Sequence, residues 1–279
     1  IPTDSQLDAL ITDALDLSSE LPGTQTTEAM RTGKINVVKS PSFYTVTGSF
    51  NGAEGSPLHD KKVRQALNFA VNKKDLIRYD LFGNGRILAT VTMEQEEGHN
   101  SALKSYDYDP DKARRLLREA GYPNGFKLKI ATKIQGERAA RIIARQFGKI
   151  GVDLEIGLFS DAELAGALAQ SHWDMLLAGC PDPMSHSFFV QSIFLFSKSP
   201  YSLVKDSNYD DRLIQMASTL NDGVRRDLAE KLDQYIHDEA LLLFLYQRIK
   251  TYGVRKAVFF TPSITGMSYF FNADKRESP

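Results

Sequence analysis

The sequence is poor in the residues that build disulfide, metal and nucleotide sites. Its 279 residues include one cysteine and five histidines. The single Cys180 excludes an intramolecular disulfide and any cluster of cysteine ligands. The histidines occur in unrelated contexts without an HExxH motif or an i, i+4 pair, and the sequence contains no Walker A motif. We therefore expect no bound metal ion and no cofactor.

Strong net charge and long apolar runs are also absent. The formal net charge is −1, so the chain has no excess of positive charge that would attract nucleic acid. Basic pairs such as Lys61-Lys62 are interleaved with carboxylates, which is typical of solvated helix faces. The longest apolar stretch lies near residues 240–246 and is much shorter than the ~20 residues of a membrane-spanning helix. The sequence predicts neither a nucleic-acid partner nor a transmembrane segment.

Candidates for catalysis are few and incomplete. Cys180 and His186 fall in one loop, but the sequence offers no third group to orient such a pair. The consecutive acids Glu96-Glu97 and Asp210-Asp211 point in different directions on regular structure, so neither pair forms a carboxylate dyad. We therefore predict no catalytic residue.

Hydrophobic periodicity predicts alternating strands and helices in the second half of the chain. A strand is predicted over 126–130, a helix over 137–149 and a second strand over 152–156. The pattern continues with a helix over 161–170 and a strand over 173–177. Strands that alternate with helices through short connections build βαβ units. The sequence therefore predicts an α/β fold.

The two ends of the chain carry further strand patterns. Alternating residues between 35 and 51 predict two strands that are interrupted at Ser40-Pro41, the second of which ends at Phe50-Asn51. Two more strands are predicted over 254–260 and 268–271.

The most specific signal is a pair of motifs in the middle of the chain. Residues 57–77 read PLHDKKVRQALNFAVNKKDLI, and residues 106–126 read YDYDPDKARRLLREAGYPNGF. Together they resemble the signature of family 5 extracellular solute-binding proteins, the peptide, nickel and sugar receptors of bacterial ABC importers. Two ordered motifs at this separation argue against a chance match.

The resemblance implies a periplasmic-binding-protein-like α/β fold of type II with two lobes. The sequence starts at Ile1 without an initiating methionine or a signal peptide, so we expect roughly the C-terminal half of a longer receptor, with one complete lobe plus part of the other. Residues 1–52 would form the partial first lobe and a crossing strand, 53–250 the second lobe, and 251–279 the return to the first. The run 52–57 is either the hinge of lobe closure or an ordinary loop. Alone, such a fragment is expected to bind ligand weakly or not at all, because one face of the cleft would be absent.

The function implied by the resemblance is capture and delivery of a solute. The protein would be the substrate-binding component of a bacterial ABC importer, holding an oligopeptide or dipeptide between its lobes and passing it to the permease subunits. It would act as a monomer in the periplasm, or lipid-anchored in a Gram-positive host. The alternatives are the ligand-sensing half of a solute-binding-like transcription regulator and, third, a hydrolase.

Candidate ligand contacts lie in the loop over 179–189 and on the crossing strand. In peptide-binding relatives an aspartate of the corresponding loop pairs with the α-ammonium group of the ligand, and Asp182 is the only acid available here. A plain Asp-Pro turn is the other interpretation of Asp182. The candidate contacts are Cys180, Pro181, Asp182 and Phe188 in the loop, and Tyr44, Phe50 and Asn51 on the strand.

Overall fold

The computed structural model describes residues 5–170, 172–271 and 273–275. Residues 1–4, where the predicted first lobe begins, and 276–279, at the end of the predicted return, lie outside the described residues. The described part alternates helices and strands in an α/β fold, as predicted. Among the helices described, none combines the length and the apolar character needed to cross a bilayer.

The elements have the following bounds. The helices are α1 (Gln6–Ile11), α2 (Thr26–Arg31), α3 (Lys61–Ala70), α4 (Lys73–Asp80), α5 (Pro110–Glu119), α6 (Glu137–Gly148), α7 (Asp161–Gln170), α8 (Ser187–Phe194), α9 (Ser207–Ala217) and α10 (Asp222–Asp238). The strands are β1 (Leu17–Ser18), β2 (Ile35–Phe50), β3 (Gly85–Ile87), β4 (Phe126–Lys133), β5 (Val152–Phe159), β6 (Met175–Pro181), β7 (Leu242–Arg255), β8 (Val258–Phe259) and β9 (Asp274–Lys275). Short 3₁₀ turns occur at Pro57–His59 and Ile134–Gly136.

Seven of these strands form one mixed sheet. Its order is β1-β7-β2-β6-β4-β5, and β3 also pairs with β7. Strand β4 is parallel to β5 and to β6, which confirms the predicted βαβ unit of β4, α6 and β5. Strands β8 and β9 form a separate antiparallel pair. Apolar side chains from α3 to α6 pack together with residues of the sheet in one buried cluster, and those from α8 to α10 in another.

The centre of the sheet consists of two long antiparallel strands, β2 and β7. Strand β2 has 16 residues and β7 has 14. The predicted interruption at Ser40-Pro41 is wrong, because β2 continues through both residues. Its pairing with β7 shifts in register directly after Pro41, and such an irregularity accommodates a residue that has no N–H to donate.

The predicted C-terminal strand over 254–260 is confirmed in part, because residues 254–255 end β7 and Val258–Phe259 form β8. Strand β7 begins at Leu242, twelve residues before the predicted start at 254. Residues 242–247 are buried on both faces of the strand, so they lack the alternation that reveals a strand in a sequence. No strand occurs within the described residues 268–271. Strand β7 runs across the predicted domain boundary at 250, and the division into 1–52, 53–250 and 251–279 stays a prediction.

The first sequence motif folds into a 3₁₀ turn, α3 and the first part of α4, and it makes a buried polar cluster. We call it the α3 polar cluster and define it as Arg64 and Asn68 of α3 with Lys73, the first residue of α4. Arg64 is 8% exposed, and its guanidinium donates to four carbonyl oxygens, those of Leu58, His59, Glu239 and Ala240. Asn68 Nδ2 donates to the carbonyl of Leu242, and Asn68 Oδ1 accepts from the N–H of Phe244. These bonds attach α3 to the end of α10 and to β7.

Lys73 connects the two sequence motifs. Its Nζ donates to the carbonyl of Tyr106 at 2.7 Å, and Tyr106 opens the second motif. Burial lowers the pKa of Lys73 from 10.5 to about 8, and Asp107 opposes this change. Both motifs therefore stabilise the interior of the fold.

Candidate ligand-binding site

Two adjoining cavities open near the carboxyl ends of β4 and β6. Their volumes are about 430 Å³ and about 740 Å³. Five residues line both cavities, which we therefore treat as one cleft: Glu20, Tyr44, Asp80, Leu81 and Arg248. The carboxyl ends of parallel strands are where α/β folds bind ligands, and the volumes suit a small molecule.

Asp80 is placed in the cleft as the last residue of α4. The helix is capped by Asn72, whose side chain accepts from the N–H of Asp75, and Leu76 and Ile77 are buried on its inner face. The Tyr246 hydroxyl donates to Asp80 Oδ2 at 2.8 Å. Burial raises the pKa of Asp80, and the hydrogen bond from Tyr246 and the charges of Arg138 and Arg248 oppose this rise. The carboxyl group is therefore partly desolvated and held in one orientation.

Arg248 enters the cleft from β7. It pairs with Glu20 at 2.9 Å, and its guanidinium lies 5.0 Å from the centre of the Tyr44 ring. The ring of Tyr44 lies close to the backbone of Gly179 on β6, and a Cβ at position 179 would overlap it. Gly179 therefore allows Tyr44 to pack flat against the wall of the cleft.

Further charged groups surround these residues. Lys133 forms an ion pair with Asp161, and Arg138 lies over the ring of Phe82 at 5.4 Å. The smaller cavity is lined by Lys133 and Asp161, and the larger one by Arg138 and Phe82. The cleft thus presents carboxylates and cationic side chains together.

Two of the predicted ligand contacts line the cleft. Tyr44 lines both cavities and Pro181 lines the larger one. The remaining five are not among the lining residues of either cavity: Phe50, Asn51, Cys180, Asp182 and Phe188. The ligand contacts of all seven residues stay predictions.

Four of these five residues have surroundings that explain their positions. Phe50 and Cys180 are buried in apolar clusters. Asn51 Nδ2 donates to the carbonyl of Trp173, and Asn51 Oδ1 accepts from the N–H of Ala53. Phe188 is 37% exposed and its ring lies 6.4 Å from that of His186.

Asp182 is fully buried and organises its own loop. Its Oδ1 accepts from the N–H of Met184 and its Oδ2 from the N–H of His186, both at 2.7 Å. Its backbone N–H donates to the carbonyl of Phe43 on β2. This geometry is that of a side chain that closes a turn.

Glu96 is buried beside Asp182. Its Oε2 accepts from the N–H of Met93 at 2.6 Å. Burial raises the pKa of Glu96 from 4.5 to about 9, the Met93 N–H opposes the change, and the Asp182 carboxylate adds to it. We therefore expect Glu96 to hold a proton at neutral pH, beside the Asp182 carboxylate.

We expect Glu96→Gln to stabilise the protein at neutral pH. Between pH 4.5 and 9 the native state holds a proton on Glu96 that the unfolded chain lacks, so stability falls as pH rises through this range. Glutamine keeps an acceptor for the Met93 N–H without that proton, and the free energy of unfolding at pH 7 should rise by about 2 kcal/mol. Urea unfolding at pH 4.5, 7 and 8.5 measures the effect.

The exposed Glu94→Gln serves as the matched control for Glu96→Gln. It should leave the pH dependence of unfolding unchanged. Parallel stability curves for Glu96→Gln and the wild type would contradict the protonation of Glu96.

Sequence analysis missed the charged residues that line both cavities. Glu20, Asp80 and Arg248 come from three separate segments, and the chain distance between them hides their proximity. The only available signal was the occurrence of Asp80 and Arg248 beside apolar stretches, where an ionisable side chain needs a partner or a function.

Residues 1–200 match the family described as bacterial extracellular solute-binding proteins, family 5 Middle. The dipeptide-binding protein of Escherichia coli (strain K12) is 30% identical over 240 residues, which are 80% of this chain and 44% of that protein. Heme-binding protein A of Haemophilus influenzae is 35% identical over 126 residues, which are 43% of this chain and 23% of that protein. The chain spans less than half the length of these relatives.

Solved structures share the fold over nearly the whole chain. The periplasmic binding protein DppA from Helicobacter pylori, in complex with the peptide STSA, has a TM-score of 0.83 at 24% identity and covers 99% of this chain and 55% of its own. NikA from Brucella suis, in complex with Fe(III)-EDTA, has a TM-score of 0.85 at 19% identity and covers 99% of this chain and 60% of its own. These likenesses confirm the predicted type II binding-protein fold.

Proposed function

Because the chain belongs to the bacterial extracellular solute-binding proteins of family 5, we propose that it forms the ligand-binding part of the substrate-binding component of an ABC importer. The cleft between β4, β6 and β7 would take up the solute, and the protein would deliver it to the permease subunits. The observation that supports a binding role is the cleft itself, which combines apolar walls with charges of both signs.

The proposed ligand is a small peptide, a dipeptide or a short oligopeptide. A free peptide is a zwitterion at neutral pH, and a cleft that contains Asp80, Glu20 and Arg248 offers partners for both of its termini. The matched dipeptide-binding protein of E. coli agrees with this class. None of the relatives reported above is named as a transcription regulator, and that alternative has no support.

We further propose that the protein acts as a monomer in the periplasm, or lipid-anchored in a Gram-positive host. The proposed division places 53–250 in the second lobe, with 1–52 and 251–279 contributing to the first.

The surroundings of Cys180 and His186, the nucleophile and base that the sequence suggested, do not favour a catalytic role. Burial and the Asp182 carboxylate raise the pKa of the Cys180 thiol to about 11, so it is not a thiolate at neutral pH. His186 Nδ1 accepts from the N–H of Phe188 and caps α8. The Cys180 thiol is therefore buried and protonated, and the His186 imidazole serves as a helix cap.

Calorimetric titration of the complete gene product with the dipeptides Ala-Phe and Met-Leu tests the proposal. We expect one binding site and an intact peptide after incubation. Gly179→Ala should weaken binding about tenfold, because the new Cβ displaces the Tyr44 ring. Gly166→Ala is the control, since position 166 has open space. Absence of binding to the wild type, or hydrolysis of the peptides, would overturn the proposed function.

A further inference from the structure

We propose that the protein binds an anionic lipid surface through the outer face of α4, α5 and α6. Charge is divided unevenly between two groups of helices. Helices α4 to α6 contain ten lysine and arginine residues and five acidic residues, whereas α7 to α10 contain four and nine. The formal net charge of −1 conceals this asymmetry. The proposal concerns a surface outside the cleft and does not rest on the proposed function.

Exposed basic side chains on these helices come in pairs that lie one helical turn apart. They form what we call the basic face: Lys74 and Arg78 on α4, Arg115 and Arg118 on α5, and Arg141 and Arg145 on α6. None of the six lines either cavity of the cleft. The opposite side of each helix packs into one buried apolar cluster. Like charges at this spacing repel, so the pairs do not stabilise the helices, and folding does not account for them.

Most charges of the basic face have no carboxylate partner. Within the described residues only Arg141 of this face forms an ion pair, with Glu137 at 2.6 Å. Two other acidic residues of these helices pair with basic residues outside the basic face: Asp111 with Arg114, and Glu119 with Lys62. The basic face therefore presents positive charge to the solvent, and an anionic partner would complement it.

The spread of these charges favours a lipid surface over a small anion or an acidic protein. Helix α3 packs against α5 and α6, and α4 packs against α6. Neighbouring helices lie about 8–10 Å apart, so the basic face is wider than one small anion. Tyr79 is 56% exposed and its ring centre lies 5.4 Å from the Arg78 guanidinium, a combination typical of membrane interfaces. Lipid headgroups attract each basic side chain without requiring partners at fixed positions.

Co-sedimentation of the complete gene product, in its lipid-free form, with lipid vesicles tests the proposal. In about 50 mM NaCl the protein should bind phosphatidylcholine vesicles that contain about 30% phosphatidylglycerol about 30-fold more tightly than pure phosphatidylcholine vesicles. In about 500 mM NaCl this difference should disappear. The variant Lys74→Gln/Arg118→Gln/Arg145→Gln removes one charge from each helix and should bind the anionic vesicles about 30-fold more weakly. Its unfolding temperature should not fall, because each substitution also removes a like-charge repulsion.

The matched control, Lys198→Gln/Arg226→Gln/Lys231→Gln, removes three exposed positive charges that lie outside α4 to α6. It should bind the anionic vesicles within about threefold of the wild type. Equal losses in the two triple variants, or equal binding of the wild type to both kinds of vesicle, would overturn the inference. Binding to immobilised poly-L-glutamate without binding to the anionic vesicles would indicate an acidic protein partner and overturn it as well. Peptide binding in the cleft is measured separately, so the proposed function stands in each of these cases.

Discussion

Replacing Arg64 with methionine is expected to lower the free energy of unfolding by about 4 kcal/mol or more. The guanidinium is the donor for four carbonyl oxygens, two within the 3₁₀ turn before α3 and two directly after α10. Methionine fills a similar volume but donates nothing, so buried carbonyls would lose their partner. Urea unfolding followed by circular dichroism measures the loss.

Lys62→Met on the same helix is the matched control for Arg64→Met. Lys62 forms an ion pair with Glu119 on the surface, where both side chains are about half exposed. Such a pair contributes less than about 1 kcal/mol. Equal stabilities for the two variants would show that the α3 polar cluster does not stabilise the fold.

Gly125→Ala should destabilise the protein by about 4 kcal/mol, because two costs act together. Gly125 has a φ of +73°, a left-handed conformation that disfavours any residue with a Cβ. A Cβ there would also overlap the carbonyl of Gly151, so the turns before β4 and β5 would have to separate. Thermal unfolding monitored by circular dichroism provides the measurement.

Gly121→Ala separates these two costs. Gly121 has a φ of +89° and lies only four residues earlier, yet a Cβ there meets nothing within 4 Å. Its substitution should cost about 1 kcal/mol, the strain of a left-handed alanine. If the two variants unfold at the same temperature, the close approach of Gly125 to Gly151 is not a determinant of stability.

The parts of the fold that sequence reasoning predicted are those with local patterns. The β4–α6–β5 unit follows from periodicity within thirty-four residues, and α5 begins at Asp109-Pro110, where the cap and the proline identify a helix start. Strand β7 escaped prediction because its first residues are buried on both faces. The continuity of β2 through Pro41 depends on a partner strand about two hundred residues away.

The candidate site was harder to predict because long-range pairing assembles it. Tyr44 was predicted from its position on β2. Pro181 was predicted in the loop over 179–189, and the structure places it as the last residue of β6. Asp80 and Arg248 were missed, since the first ends a helix and the second lies within a strand that the sequence did not reveal. The two motifs that carry the family resemblance gave no information on the cleft, because the polar residues of the α3 polar cluster point into the interior.

The position of β2 determines when the sheet can form during synthesis. This strand lies between β6 and β7, so one of its two edges has no partner until residues 242–255 have been made. About two hundred residues that follow β2 in the chain must therefore be synthesised before the middle of the sheet closes. Pairings of such large sequence separation fold slowly compared with local ones. The nascent chain would meanwhile expose a strand edge with unpaired N–H and C=O groups. Such an edge can pair with other chains, so chaperone binding or a low protein concentration would favour folding over aggregation.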